Sequence, residues 1–313
     1  MSKPLVDDGL WELIQPLLPP PKTRRRRYPG RRPLDSRKAL TGILFVLKSG
    51  IPWEMLPQEM GCGSGMTCWR RLREWQEAGV WQKLHELLLS KLREADRIDW
   101  SRAVVDSGSI RAVGGGGGTG PNPTDRRKLG SKHHVITDAK GIPLAAILTG
   151  ANRHDVTQLL PLVAAIPPVR GKRGRPRRRP DRVQGDRAYG SGPHREVLRS
   201  LGIVPVLAQR LTGHGSGLGV HRWVVERTLA WLHQFRRLRI RYERRADIHE
   251  AFLSIGCSLI CFRRLNHFVR GSKAPASSPA EKQFSAWGGR TLPSGTPTWR
   301  AEQQPLLAEA TLA

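Results

Sequence analysis

Acidic residues are scarce in this chain of 313 residues. Asp and Glu number 26 against 53 Lys and Arg, so the formal net charge is +27. A charge of this size and sign is not typical of an enzyme that acts on small molecules. It predicts a polyanionic partner, and DNA or RNA before an anionic membrane surface.

Long apolar runs and paired cysteines are missing too. No run approaches the length of a membrane span, and the first residues, MSKPLVDDGLWELIQPLL, have neither a basic leader nor a small-residue cleavage site. We therefore expect no membrane association. The four cysteines form neither a CxxC pair nor a zinc spacing, so we expect core fillers in a reducing compartment, the cytoplasm. They are Cys62, Cys68, Cys257 and Cys261.

Residues 1–95 have the apolar spacing of short helices. Asp35 or Ser36 can begin the helix RKALTGILFVLKSG, and Gly50 with Pro52 can end it. The later segment MTCWRRLREWQEAG carries Arg70 and Arg71 on a partly exposed face. Short helices around a glycine turn with such a face predict a helix-turn-helix type DNA-binding domain. A plain helical bundle is the alternative.

From about residue 98 the pattern changes to strands alternating with helices. RAVVD reads as a strand ending in an acid, and SKHHVITDAKG with IPLAAILTGAN as a hairpin. The pattern then predicts a helix, a strand, a helix and a strand, followed by the helix at 221–245. This order predicts an α/β fold with a mixed sheet of the ribonuclease-H-like type over 96–268. The five glycines at 114–118 read as a flexible surface loop. The Pro- and Ser-rich residues 269–313 read as a disordered tail.

Three acids in this region carry the chemistry that we expect. Asp106 ends the first strand, Asp186 follows a later strand in VQGDRAYG, and Glu226 is the one carboxylate in the arginine-rich helix HRWVVERTLAWLHQFRRLRIRYERR. Each alone reads as a cap or a solvated acid. At matching places in one fold they predict a carboxylate site for two divalent metals, the arrangement that phosphodiester chemistry uses. Asp155 has two interpretations, as a helix cap or as a group that approaches the metals.

Basic residues predict where DNA would bind. Arg222 lies one helical turn before Glu226 and can hold a phosphate, although an ordinary ion pair between the two is the alternative. The segment VRGKRGRPRRRP, 169–180, contains seven Lys and Arg. Its middle, with Lys172, Arg173 and Arg175, is typical of an extended arm that enters a minor groove, and a solvated basic loop is the alternative. Trp223, Leu229 and Leu232 are expected in the core.

With these motifs in view, the chain resembles a bacterial insertion-sequence transposase of the DDE class, the IS4/IS5 type. The matching segments include YPGRRPLDSRKALTGILFVLKSGIPWEMLP, AVVDSGSIRA, GSKHHVITDAKGIPL, GRPRRRPDRVQGDRAYGS and RWVVERTLAWLHQFRRLRIRYER, in the family's order over roughly 5–268. The chain departs from the family's signature around the glutamate. Gly219 stands where a tyrosine is usual, and His233 where a lysine is usual.

The resemblance implies that Asp106, Asp186 and Glu226 are the catalytic and metal-binding triad, holding two Mg²⁺ ions for which Mn²⁺ can substitute. It implies an enzyme that binds the terminal inverted repeats of its element, cleaves at the ends and joins them to target DNA. A homodimer or higher synaptic complex, associated with the bacterial nucleoid, is the expected form. Two rivals stay open: a nuclease of this fold that only cleaves, and an inactive DNA-binding copy or repressor.

Overall fold

The computed structural model describes residues 4–20, 23, 26–28, 32–208 and 219–271. The tail predicted from residue 269 lies outside these residues apart from its first three, which continue the last helix. The helices are α1 Asp8–Ile14, α2 Ser36–Ser49, α3 Gly65–Glu77, α4 Val80–Glu94, α5 Asp155–Ala164, α6 Gly192–Ser200, α7 Gly219–His233, α8 Arg236–Arg239 and α9 Ala246–Gly271. The strands are β1 Ala103–Ala112, β2 Gly120–Pro121, β3 Leu129–Asp138, β4 Pro143–Gly150, β5 Arg182–Gly185, β6 Val204–Leu207 and β7 Ile240–Arg241.

The N-terminal helices begin and end where local chemistry directs. Asp35 caps α2 by accepting a hydrogen bond from the backbone N–H of Lys38, and Gly50 ends the helix with a left-handed φ of 76°. Both features match the sequence prediction.

The four cysteines are buried and free, as core fillers would be.

The sheet has the strand order of a ribonuclease-H-like fold. β1, β3 and β4 form an antiparallel meander, and β5 and then β6 add parallel to β1 on its other edge. The hairpin turn between β3 and β4 uses Gly141 at a φ of 87°, with Asp138 accepting the N–H groups of Lys140 and Ile142. The predicted α/β order is confirmed.

β1 is longer than its sequence predicts. It continues for six residues beyond Asp106, because β3 pairs with it along almost its whole length and β7 pairs with its last two residues. The expectation that Asp106 ends a strand is therefore wrong. The parallel pairing with β5, however, starts at Ala103 and stops before Asp106.

Helices cover both faces of the sheet. Successive strand residues point to opposite faces, and on β1 Gly108 lies against Leu229 and His233 of α7, whereas Ser107 contacts Asp155 of α5. The helix α4 packs on α9, and one apolar core runs from the N-terminal helices into the sheet. The predicted boundary between a helical DNA-binding domain, residues 1–95, and a catalytic domain, residues 96–268, therefore stays a prediction. No helix in the described ranges is long and apolar enough to cross a membrane.

The glycine loop after β1 differs from its prediction as a flexible segment. The side chain of Arg241, fully buried, donates to the carbonyls of Gly117 and Gly118. Gly116 has a φ of 101°, and a Cβ there would lie 2.0 Å from the carbonyl oxygen of Arg244. The loop is solvent-exposed but fixed from beneath, because a buried guanidinium must satisfy its donors and takes them from this backbone.

Candidate carboxylate site

Two of the three acids are brought together by parallel pairing. Ala103 of β1 is opposite Val183 of β5, and Val104 is opposite Gln184. The same offset of 80 residues brings Asp106 level with Asp186, which directly follows β5. Asp186 accepts the backbone N–H of Ala188 at 2.9 Å and caps a short 3-10 turn, Arg187–Tyr189. This turn holds the carboxylate at the end of the strand.

The third acid, Glu226, is carried to the same place by α7. The guanidinium of Arg222, on the preceding helical turn, touches all three carboxylates. Its Nε lies 2.9 Å from Oε1 of Glu226, its Nη1 lies 3.4 Å from Oδ2 of Asp186, and its Nη2 lies 3.8 Å from Oδ2 of Asp106. Acids that are 40 to 120 residues apart in the chain thus share one cation.

The electrostatics of the site differ from one acid to the next. The side chain of Asp106 is 13% exposed, that of Asp186 28% and that of Glu226 51%. Burial raises the pKa of Asp106 to about 6; the N–H of Ser107 and the charge of Arg222 oppose the rise, and the neighbouring carboxylates add to it. Packing three acids together is unfavourable unless a cation lies between them.

The donor set is suited to a hard divalent metal, because carboxylate oxygens are the ligands that Mg²⁺ and Mn²⁺ prefer. In the arrangement seen, Arg222 occupies the position between the carboxylates. Within the described ranges, no three His, Cys, Asp or Glu side chains are close enough together to hold an ion. The carboxylates therefore have the right chemistry for such a metal. The guanidinium of Arg222 would have to move before their oxygens could approach the ion.

Asp155 belongs to the other face of the sheet. The cap of α5 is His154, without a side-chain bond, so the capping interpretation of Asp155 is wrong. Its Oδ1 instead accepts from the hydroxyl of Ser107 at 2.7 Å and from Nζ of Lys132 at 3.0 Å. It secures the start of α5 to β1 and β3 directly behind Asp106.

Tyr189 is a neighbour of the site that the sequence analysis did not single out. It follows Asp186 by three residues and is 1% exposed. Burial, followed by the charges of Asp155, Asp106 and Asp186, raises its pKa above the ordinary value. The hydroxyl therefore stays protonated beside the carboxylates. The sequence feature that could have identified Tyr189 is an aromatic residue that closely follows an acid at the end of a strand.

The basic segment does not lie at the carboxylates. Val169 and Arg177 exchange two main-chain hydrogen bonds of 2.9 and 3.0 Å, so the segment is a closed loop and not the predicted extended arm. The ammonium group of Lys172 pairs with Asp96. Arg173 and Arg175 are exposed. The loop leads into the beginning of β5, whereas Asp186 follows its end.

The predicted DNA-binding residues of α3 are distributed over its surface. Arg70 is exposed, and Arg71 pairs with Glu74 at 3.2 Å. Neither is brought to the carboxylates by a contact that the structure shows.

On α7, the prediction of a core position for Trp223 is wrong, since the side chain is 52% exposed and has the guanidinium of Arg227 over its ring. Leu229 and Leu232 are buried as expected. His233 packs against Gly108 and lies beside His133, with ring centroids 6.0 Å apart. The His233 side chain therefore packs against β1 and β3.

Comparisons with known proteins agree with the motifs. Residues 101–261 match the family model described as a transposase DDE domain, and residues 6–85 match the model described as a transposase of the IS4/5 family. A protein of Burkholderia cepacia named as a transposase for insertion sequence element IS402 is 69% identical over 147 residues, which cover 47% of this chain and 70% of that protein. A 16.2 kDa protein of the same element is 69% identical over 123 residues, 39% of this chain and 84% of that protein.

Among solved structures, the chain is similar to a pre-cleavage Mos1 transpososome and to a Mos1 strand transfer complex. The first has 12% identity and a TM-score of 0.25 and covers 78% of this chain and 82% of that chain. The second has 13% identity and a TM-score of 0.23 and covers 76% and 81%. Similarity at this level supports no inference, and the fold assignment depends on the strand order and the family match.

Proposed function

Since the chain belongs to the DDE transposases of the IS4/IS5 family, we propose that it binds the terminal inverted repeats of its element, cleaves at their ends and joins them to target DNA. The observation that carries this proposal is the convergence of Asp106, Asp186 and Glu226 on the single guanidinium of Arg222. An acidic cluster in a chain of net charge +27 is what a metal-assisted reaction on a polyanion requires.

Asp106, Asp186 and Glu226 would hold two Mg²⁺ ions, with Mn²⁺ as a substitute. When bound, such ions activate water and stabilise the leaving oxygen of a phosphodiester. Hydrolysis at the element end releases a 3′-hydroxyl, and attack of this hydroxyl on target DNA breaks one phosphodiester and forms another. The number of ester bonds is unchanged in the second step, so ATP is not needed.

Arg222 would exchange its partners during this cycle. Without metal it pairs with the three carboxylates, and with metal it is free to pair with a DNA phosphate, for which its planar donor group is suited. Lys172, Arg173, Arg175, Arg70 and Arg71 are proposed as further DNA-binding residues. Pairing two ends calls for a homodimer or a larger synaptic complex, acting on DNA in the bacterial cytoplasm at the nucleoid.

End cleavage in vitro tests the proposal. A duplex that carries the inverted repeat flanking the gene is incubated with Mg²⁺ or Mn²⁺ and with wild type, Asp186→Asn, Glu226→Gln or the control Glu196→Gln, an exposed acid on α6. A metal contributes several kcal/mol of transition-state stabilisation. Both site variants should therefore lose on the order of 100-fold or more in rate, and the control should match wild type.

Each rival has its own outcome in this assay. Unchanged cleavage by both site variants would refute the carboxylate assignment. Cleavage by wild type with no joining to a target duplex would indicate a nuclease that only cuts. Binding of the repeat with no cutting in either metal would indicate a repressor.

A further inference from the structure

The basic segment forms a compact loop, Arg170–Pro176, between the paired residues Val169 and Arg177. Its base is seated on α4. The N–H of Arg170 donates to the hydroxyl of Ser90 at 3.1 Å, and a Cβ on Gly171 would lie 2.2 Å from the Ser90 carbonyl oxygen. The close approach requires glycine at this position and fixes the height of the loop above the helix.

Two of the basic side chains anchor the loop to the protein. Lys172 pairs with Asp96, and Arg177 pairs with Asp181 and lies over the ring of Trp100. These charges are already neutralised by acids of the chain. Lys172 and Arg177 therefore hold the loop in place, and each would have to leave its acid before its charge could pair with a DNA phosphate.

The tip of the loop is different. Arg173 and Arg175 flank Gly174, which has a φ of 98° and open space around it. Both arginines are exposed, and neither has an ion pair or a side-chain hydrogen bond in the part of the chain that the structure describes. No acid occurs between residues 169 and 180. The tip thus presents two uncompensated guanidinium groups on an anchored base.

The anchored base of the loop lies at the opposite end of β5 from Asp186. Asp181, which anchors it, precedes β5, and Asp186 follows β5. The two acids are five positions apart in sequence, with the four residues of β5 between them, and an extended strand spans about 16 Å over five positions. At 3.4 Å per nucleotide of one strand, this corresponds to about five nucleotides of DNA.

We propose, on the basis of the function given above, that Arg173 and Arg175 bind backbone phosphates of the same duplex that is cleaved, at least about five nucleotides from the cleavage point. A duplex held at the carboxylates extends past this distance. Its own flank is then present at high effective concentration, whereas a second duplex would have to be captured from solution. Contacts to phosphates contribute affinity and position without reading sequence.

Binding measured by fluorescence anisotropy in EDTA tests the inference. The double variant Arg173→Ala/Arg175→Ala is compared with wild type and with Arg126→Ala/Arg127→Ala, a control that removes the same charge from two exposed arginines of another turn. The tip variant should bind the full repeat duplex more weakly. Its logarithmic salt slope should be smaller by about 2, or about 1 for each lost phosphate contact.

Truncated duplexes then test whether the loop tip binds the duplex that is cleaved or a second duplex. Duplexes are shortened to four nucleotides on one side of the cleavage point or on the other. For one of the two, wild type and tip variant should bind equally, because the phosphates that the tip contacts are gone.

Three results would overturn the inference. The first is an equal loss of affinity in the control variant. The second is a difference between wild type and tip variant that persists with both truncated duplexes, which would mean that the tip binds a second duplex. The third is a tip variant that binds the full repeat as tightly as wild type. A wild type that binds DNA and never cuts it would instead refute the proposed function, and the binding comparison would still test the loop.

Discussion

Replacing Arg241 with methionine should destabilise the protein strongly, because this arginine is a fully buried charge with all its donors in use. It lies on β7, beneath the glycine loop that follows β1. Burial lowers its pKa from the ordinary value, yet a guanidinium keeps its proton in proteins. Its acceptors, at 2.6 to 3.2 Å, are the carbonyls of Gly117, Gly118, Glu243 and Arg244 and the hydroxyl of Ser131.

The expected loss follows from which acceptors can regain water. Gly117 and Gly118 are exposed, so their carbonyls would be hydrated in the variant. Ser131 and Glu243 are buried. The Ser131 hydroxyl would still donate to the carbonyl of Gly118, whereas the carbonyl of Glu243 would lose the donor that Arg241 supplies. At about 1–3 kcal/mol for a buried acceptor left unsatisfied, the free energy of unfolding should fall by roughly 1–3 kcal/mol.

Urea denaturation of Arg241→Met and wild type measures this difference. Arg239→Met is the matched control, since Arg239 is exposed two residues earlier, and it should change stability by no more than about 0.5 kcal/mol. Amide exchange at residues 114–118 should become faster in Arg241→Met alone. A loss below about 1 kcal/mol, equal to that of the control, would refute the view that this guanidinium fixes the loop.

Two further predictions concern stability. His85 of α4 donates to the carbonyl of Pro143 at 2.8 Å, and burial lowers its pKa to about 4. As the pH drops from 6.5 to 4, the unfolded chain therefore binds a proton on this imidazole before the folded chain does. The free energy of unfolding should fall over this range by up to about 3 kcal/mol from this group. Urea titrations over this range should show a shallower fall for His85→Gln, and equal slopes would contradict the assignment. A Cβ on Gly65 would lie 1.7 Å from the carbonyl oxygen of Trp53, so Gly65→Ala should cost about 1–3 kcal/mol. The control Gly192→Ala, also at the first residue of a helix but with open space, should be neutral or stabilising in thermal unfolding, and similar losses in both variants would count against the clash.

Much of the site could be predicted because its parts are encoded locally. An acid at the end of an apolar run, a second acid after a later strand and a lone glutamate in a basic helix are each visible in sequence. Their grouping followed from the order of strands and helices. The role of these residues in catalysis stays a prediction that the cleavage assay addresses.

Other features could not be read in this way, because they depend on contacts between distant segments. Alternation and charge do not reveal that β3 extends β1 past Asp106. They do not show that Trp223 points outward from α7 while His233 packs against β1 and β3. The basic segment has the composition of an extended arm, and only its pairing across Val169 and Arg177 closes it into a loop.

The sequence by itself predicted a polyanionic partner, the alternation of helices and strands and the three acids of the site, because charge, periodicity and capping act over a few residues. The tertiary structure alone decided what surrounds those acids. Parallel pairing of β1 with β5 sets Asp106 level with Asp186, and the packing of α7 brings Arg222 between them and Glu226. The same long-range packing closed the basic segment into a loop seated on α4, since composition does not say which distant segments of a chain contact each other.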